Sequence, residues 1–85
     1  MKLRDPKTAT LIANQLMTDV ELVAEHCMLI PEIRDGLVYT ARASIAALVQ
    51  QVVDGVISVT EWYAMTMDVK DIICKMLQEG YYDQN

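Results

Sequence analysis

Apolar residues recur at intervals of three and four along most of this chain, which is the pattern of one face of an α-helix. The first run follows Asp5 and Pro6, an N-cap residue and the proline that the first helical position favours. Pro31 is predicted to end this helix, because the residue before a proline is pushed out of helical geometry. The predicted buried positions are Ala9, Ile12, Ala13, Leu16, Val20, Val23, Cys27 and Ile30.

A second apolar run predicts a helix over residues 37–53, and residues 31–36 are predicted to form a turn or an extra short helix. Its apolar stripe consists of Leu37, Ala41, Ile45, Leu48 and Val52. The remaining positions are mostly small and uncharged, and Arg42 is the only charged residue before Asp54. A helix with so few charges is normally shielded on most sides. This one is therefore either the central helix of the domain or the seam of an oligomer.

The segment that follows the second helix carries strong local signals for the end of one helix and the start of another. Asp54 and Gly55 predict the stop, since glycine adopts the left-handed conformation that closes a helix. Ser58 and Glu61 have the spacing of a capping box. The third helix is predicted to run from residue 59 to about residue 79, with Gly80 as its stop. Its predicted inward positions are Trp62, Met65, Val69, Ile72, Ile73, Met76 and Leu77.

These elements predict one all-α domain over residues 1–85, a small antiparallel three-helix bundle. Residues 1–4 are expected to form an N-terminal arm, and residues 81–85 a tail that is either frayed or folded back. A chain of 85 residues buries only roughly 60% of its unfolded surface, whereas 53% of these residues are hydrophobic. We therefore expect self-association as a homodimer or a higher homo-oligomer.

The chain is acidic, with 12 Asp and Glu against 7 Lys and Arg, for a net charge of -5. This charge repels nucleic acids and anionic membrane surfaces and favours protein partners, including basic ones. The only basic cluster is the arm of Lys2, Arg4 and Lys7, which would bind nucleic acid weakly. Neither a secretory signal nor a transmembrane segment is predicted. Two cysteines without a metal or redox spacing read as reduced thiols, so a cytoplasmic location is expected.

Residues 50–61 partly match the 12-residue calcium loop of an EF-hand. Gln50 and Val52, however, occupy the first and third places, where a working loop has oxygen ligands, usually carboxylates. A structural zinc site needs four Cys or His ligands, and the chain has three such residues, so only an intersubunit site could form. No metal or cofactor is therefore predicted.

Catalytic groups are not predicted either. His26 and Cys27 are adjacent, and neighbours on a helix point about 100° apart, which separates them. Asp68 and Asp71 lie one turn apart on the face of the third helix that is predicted to be exposed, where pairing of Asp71 with Lys75 is the expected role. The protein is therefore expected not to be an enzyme.

A second apolar strip outside the predicted core is formed by Leu11, Leu22 and Leu29, flanked by His26. These leucines are either tolerated surface residues or contacts with a subunit or partner. On the third helix, Met67 beside Tyr63 is a further candidate contact, because methionine adapts to different partners. The predicted partner-binding residues are Leu11, Leu22, Leu29, His26, Tyr63 and Met67.

Residues 53–77, with Gly55, Ile57, Ser58 and then Glu61 before an aromatic residue, resemble the helical hairpins of short bacterial domains, including colicin D-type immunity proteins. The resemblance implies a small acidic protein of bacteria or phages that binds and silences a larger, basic protein. The leading hypothesis is thus a non-enzymatic protein-interaction module, an inhibitor or regulator. The alternative is an oligomer that binds a small ligand or nucleic acid between its subunits.

Overall fold

A computed structural model of the chain describes residues 5–83, with side chains up to residue 79. It contains three helices, α1 (Pro6–Glu25), α2 (Pro31–Val53) and α3 (Val59–Asp83). Each helix contacts the other two, in a bundle measuring 45 × 18 × 18 Å. The short connections make α2 antiparallel to both α1 and α3. The predicted all-α three-helix bundle is confirmed. The predicted arm of residues 1–4 and the last two residues of the predicted tail lie outside the described residues.

The predicted end of α1 was wrong, because Pro31 begins α2 instead of ending α1. Asp5 caps α1 as predicted, and its carboxylate accepts a hydrogen bond from the Thr8 N–H at 3.2 Å. The helix ends at Glu25. The N–H groups of the next two residues donate to the carbonyl oxygens three residues earlier, which tightens the last turn of the helix. Residues 27–30 then reverse the chain. Ile30 is extended (φ -62°, ψ 148°), as the position before a proline favours.

Residues 31–36 are the first turns of α2 and form neither a separate helix nor a turn. Proline suits the first helical position, where its missing N–H costs no hydrogen bond. Gly36 lies inside the helix, and Gly55 is the only glycine with a positive φ in the described part of the chain. Although glycine lowers helix propensity, it does not interrupt a helix that is packed on its neighbours.

The connection between α2 and α3 has the predicted stop and cap. Gly55 adopts φ +77°, and the N–H groups of Gly55 and Val56 bond to the carbonyls of Val52 and Gln51, which is a Schellman motif. The Ser58 N–H donates to Glu61 Oε1 and the Glu61 N–H donates to Ser58 Oγ, both at 3.0 Å. These reciprocal bonds form the capping box.

The core consists of two clusters. The smaller core cluster, where α1 and α3 begin, contains Ala9, Leu48, Val52 and Trp62. The larger core cluster fills the rest of the bundle and contains Ala13, Met17, Val20, Ala24, Ala41, Ile45, Ile73 and Leu77. The α1 face differs from the prediction, since Met17 and Ala24 are buried whereas Ile30 is half exposed. Small alanines on α1 allow the larger side chains of α2 and α3 to approach closely.

The predicted buried face of α3 was partly wrong. Trp62, Ile73 and Leu77 are buried as predicted, but three predicted core residues, Met65, Ile72 and Met76, are exposed. Thr66, which a hydrophobic pattern does not select, is buried instead. The predicted stop at Gly80 was also wrong, since α3 continues to Asp83.

Candidate functional site

A groove opens between the C-terminal end of α1 and the last turns of α3. Its volume is about 460 Å³. His26 lies at its edge, and the Nδ1 atom of His26 is 3.0 Å from the Leu22 carbonyl oxygen. Because a carbonyl oxygen only accepts, Nδ1 is the donor of this hydrogen bond. The residues that line this α1–α3 groove are Leu22, Val23, His26, Cys27, Met28, Leu77 and Gln78.

Both cysteines are partly buried, whereas His26 is exposed. Cys27 packs against the larger core cluster. Partial burial raises the pKa of the Cys74 thiol, Lys70 lowers it, and the carboxylates of Asp71 and Asp19 raise it further. A raised pKa keeps the thiol protonated, and the protonated thiol is a poor nucleophile.

The predicted partner-binding residues do not form one surface. Leu22 and His26 lie together in the α1–α3 groove, whereas Leu11 is three turns earlier on α1 and strongly exposed. Leu29 lies beyond the end of α1, where it is half-buried against the larger core cluster, so the three leucines are not a continuous strip.

Tyr63 and Met67 lie one turn apart on α3. Tyr63 is exposed and Met67 is half-buried. Helical spacing places both on the same edge of α3 as Cys74 and Gln78, which is the edge toward α1. They therefore belong to the same side of the bundle as the groove, but several turns from it.

A surface that the sequence did not predict lies on α3. Met65, Ile72 and Met76 are 43%, 58% and 48% exposed, respectively. Spacings of seven and four residues place them on one face of the helix, where they form what we call the α3 strip. The signal in the sequence was that apolar residues cover more of α3 than two neighbouring helices can bury.

The α3 strip lies on the side of α3 that borders α2, because the contacts of α2 and α3 with α1 identify the other side of each helix. Arg42 Nη2 is 2.8 Å from Glu21 Oε1 of α1, so this edge of α2 borders α1. The opposite edge, where Ser44 and Gln51 are half-buried, borders α3. On α3, Cys74 lies near Asp19 of α1, so the side of α3 that carries Cys74 borders α1. The α3 strip lies on the opposite side of the helix, which therefore borders α2.

Exposed, uncharged residues of α2 continue this surface. Ile33, Thr40 and Ala47 recur every seven residues on the edge of α2 next to α3, and all three are exposed. Together with the α3 strip they form what we call the α2–α3 face: Ile33, Thr40, Ala47, Met65, Ile72 and Met76. Thr40 and Ala47 are smaller than the side chains of the α3 strip, and we call the line along which α2 and α3 meet on this face the track.

Acidic residues border the α2–α3 face on its α3 side. Asp68 lies three residues after Met65 and four before Ile72, so it is a surface neighbour of both. Glu61 precedes Met65 by four residues, and Glu79 follows Met76 by three. We call Glu61, Asp68 and Glu79 the acidic edge. Lys75 follows Ile72 by three residues, so it also borders the face, and it is 3.9 Å from Glu79. Lys70 rather than Lys75 pairs with Asp71, at 3.3 Å.

Among residues 5–79, no group of three or more His, Cys, Asp or Glu side chains is placed to hold a metal ion. Over residues 5–83, none of the helices combines the length and apolar character that a membrane crossing requires. No protein-family model, curated protein or solved structure matches the chain.

Proposed function

We propose that this protein is a helical module that binds another protein, as its inhibitor or regulator, and that the α2–α3 face is the docking surface. The observation that carries the proposal is the exposure of the aligned apolar side chains Met65, Ile72 and Met76. Soluble monomers rarely expose contiguous apolar patches larger than a few hundred Å², and larger patches mark interaction sites. Burying them against a partner gains roughly 25 cal/mol for each Å² of apolar surface.

The dimensions of the bundle support this function. A long side of the bundle measures 45 × 18 Å, which is close to the roughly 800 Å² per partner of a standard protein interface. The α2–α3 face covers about half the length of such a side, since Ile33 to Ala47 spans about 21 Å along α2. One side of this small domain is thus large enough for specific binding.

A small-ligand function is the second candidate, and the α1–α3 groove favours it. Its volume of about 460 Å³ falls within the roughly 300–1,000 Å³ of typical ligand pockets. His26 Nε2 could accept a hydrogen bond from a ligand there. The groove is open to solvent at the end of the bundle, so it would enclose a ligand less than a typical pocket does. Nucleic acid is disfavoured by the net charge of -5.

Affinity capture with matched variants tests the proposed function. Ile72→Ser removes an exposed apolar side chain from the α2–α3 face, and Val56→Ser removes a more exposed one from the connection between α2 and α3. We expect a protein that co-purifies with the wild type and with Val56→Ser to be lost from Ile72→Ser. Each variant is first checked by circular dichroism for an unchanged helix content.

The same experiment contains the outcomes that contradict the proposal. Loss of the captured protein from Leu22→Ser, but not from Ile72→Ser, would place binding in the α1–α3 groove. Capture of no protein, together with a small molecule released on denaturation and identified by mass spectrometry, would favour the ligand function.

A further inference from the structure

We propose that the α2–α3 face binds a basic amphipathic helix of its partner. This inference rests on the proposed function and specifies the chemistry of the partner. Three features of the face carry it: a track about three to four helical turns long, a repeat that matches a packed helix, and a border on which three carboxylates outnumber one lysine.

The shape of the face fits a helix. Ile33, Thr40 and Ala47 repeat every seven residues, and Met65 and Ile72 have the same separation on the antiparallel neighbour. A seven-residue repeat is the spacing at which side chains of packed helices interdigitate. A helix lying in the track between α2 and α3 would complete a four-helix arrangement, with the apolar residues of α3 inserted between its own.

The length of the track sets the length of the bound segment. Ile33 to Ala47 spans 14 residues, or about 21 Å at a rise of 1.5 Å per residue. Met65 to Met76 spans 11 residues, or about 16 Å. The bound segment is therefore roughly three to four turns long. Small side chains at Thr40 and Ala47 let its backbone approach α2 closely.

The charge of the face selects a basic helix. The acidic edge lies one turn from every residue of the α3 strip. Arg34 and Arg42, the described arginines of α2, pair with Asp35 and Glu21 away from this face. A docked helix with Lys or Arg beside its apolar stripe would pair with the acidic edge, and electrostatic attraction would speed its encounter with the face.

The same charges argue against a second copy of this chain on the α2–α3 face. Each copy carries a net charge of -5 and brings a second acidic edge, and the base beside the face, Lys75, is already 3.9 Å from Glu79 of its own copy. Like charges at an interface are unfavourable within a Debye length of about 10 Å. Self-association, expected from the composition, stays a prediction, and a seam elsewhere on the molecule would suit it better.

Two synthetic peptides test the inference directly with the full chain. The first has about 18 residues, or five helical turns, with Leu on one face and Lys on the flanks. The second keeps every Leu but replaces Lys with Glu. We expect the Lys peptide to bind, as measured by titration calorimetry, and the Glu peptide to bind at least about tenfold more weakly. Binding of the Lys peptide should weaken as salt rises from about 0.05 M to about 0.5 M, because salt screens the charges.

Variants locate the binding. Ile72→Ser should weaken binding of the Lys peptide about tenfold, and Asp68→Asn should weaken it and reduce its salt dependence. Val56→Ser and Glu25→Gln are the matched apolar and acidic controls, and both should leave the affinity unchanged. Met76→Ser is a second variant of the α3 strip, in case Ile72→Ser fails to fold. Equal weakening by Glu25→Gln and Asp68→Asn would overturn the inference, because binding would then follow net charge alone.

Two further outcomes separate this inference from the proposed function. Equal binding of the Glu and Lys peptides, or a dimer in sedimentation that Ile72→Ser dissociates, would overturn the basic helix but leave the face as a protein-binding surface. If the wild type bound neither peptide, was monomeric and captured no protein, both the inference and the proposed function would be overturned.

Discussion

Trp62 and Thr66 lie one helical turn apart on the buried face of α3, and both have a polar atom without a hydrogen-bond partner. Within the described structure, neither Trp62 Nε1 nor Thr66 Oγ1 contacts a donor or acceptor. Both side chains are almost fully buried. An unsatisfied buried polar group costs about 1–3 kcal/mol. This pair is therefore a weak point in an otherwise apolar core.

Replacing Thr66 with Val should stabilise the protein by about 1 kcal/mol, because the shape is kept and an unpaired hydroxyl is removed. Urea unfolding monitored by circular dichroism measures the change. Thr18→Val is the control, since Thr18 is exposed and its hydroxyl donates to the Asn14 carbonyl. A loss of stability in Thr66→Val would mean that the Thr66 hydroxyl is bonded in solution.

Gly36 and Gly55 should respond to alanine with opposite signs. A Cβ at Gly36 would meet nothing within 4 Å, so Gly36→Ala should stabilise α2 by about 0.5–1 kcal/mol. Gly55 has φ +77°, where a side chain is strained, so Gly55→Ala should destabilise by about 1–2 kcal/mol. The same unfolding experiment measures both, and equal effects would show that one of the two backbone conformations is wrong.

Adjacent isoleucines on α3 test the rotation of that helix. Ile73 is 6% exposed in the larger core cluster, whereas Ile72 is 58% exposed. Ile73→Ala should cost about 2–5 kcal/mol, the range for emptying a buried site. Ile72→Ala should change stability by about 0.5 kcal/mol or less. If Ile72→Ala lowered the denaturant midpoint more than Ile73→Ala, Ile72 would be buried, as the sequence predicted.

Glu61 should make stability depend on pH. Two hydrogen bonds with Ser58 lower the pKa of Glu61 below its ordinary value of 4.5. The larger effect comes from the Ser58 N–H and the smaller one from the Ser58 side chain. The capping contact is thus fully present above about pH 4.5 and is lost as the pH falls through the lowered pKa. Thermal unfolding should show wild type more stable than Glu61→Gln at neutral pH, with the difference shrinking in acid. A constant difference from pH 7 to about pH 3 would contradict this role.

Helix ends that depend on near neighbours in the chain were determined by the sequence. Asp5, Gly55, Ser58 and Glu61 act on backbone groups within three to five residues, so their spacing was sufficient to predict them. The apolar repeat also determined the number of long helices and hence the all-α class. Of the candidate site, the sequence indicated an acidic chain with surplus apolar residues, but not where that surplus lies.

Tertiary structure decided which side of each helix is buried and where α1 ends. Apolar residues cover so much of α3 that its periodicity allows more than one rotation. Packing selects among them, since Trp62 is buried in the smaller core cluster, which also holds the small side chain of Ala9. That rotation buries Thr66 and exposes Ile72. Pro31 likewise could end one helix or begin the next, and the need to reverse the chain over residues 27–30 decided between them. These choices depend on contacts between residues far apart in the chain, which no local pattern encodes.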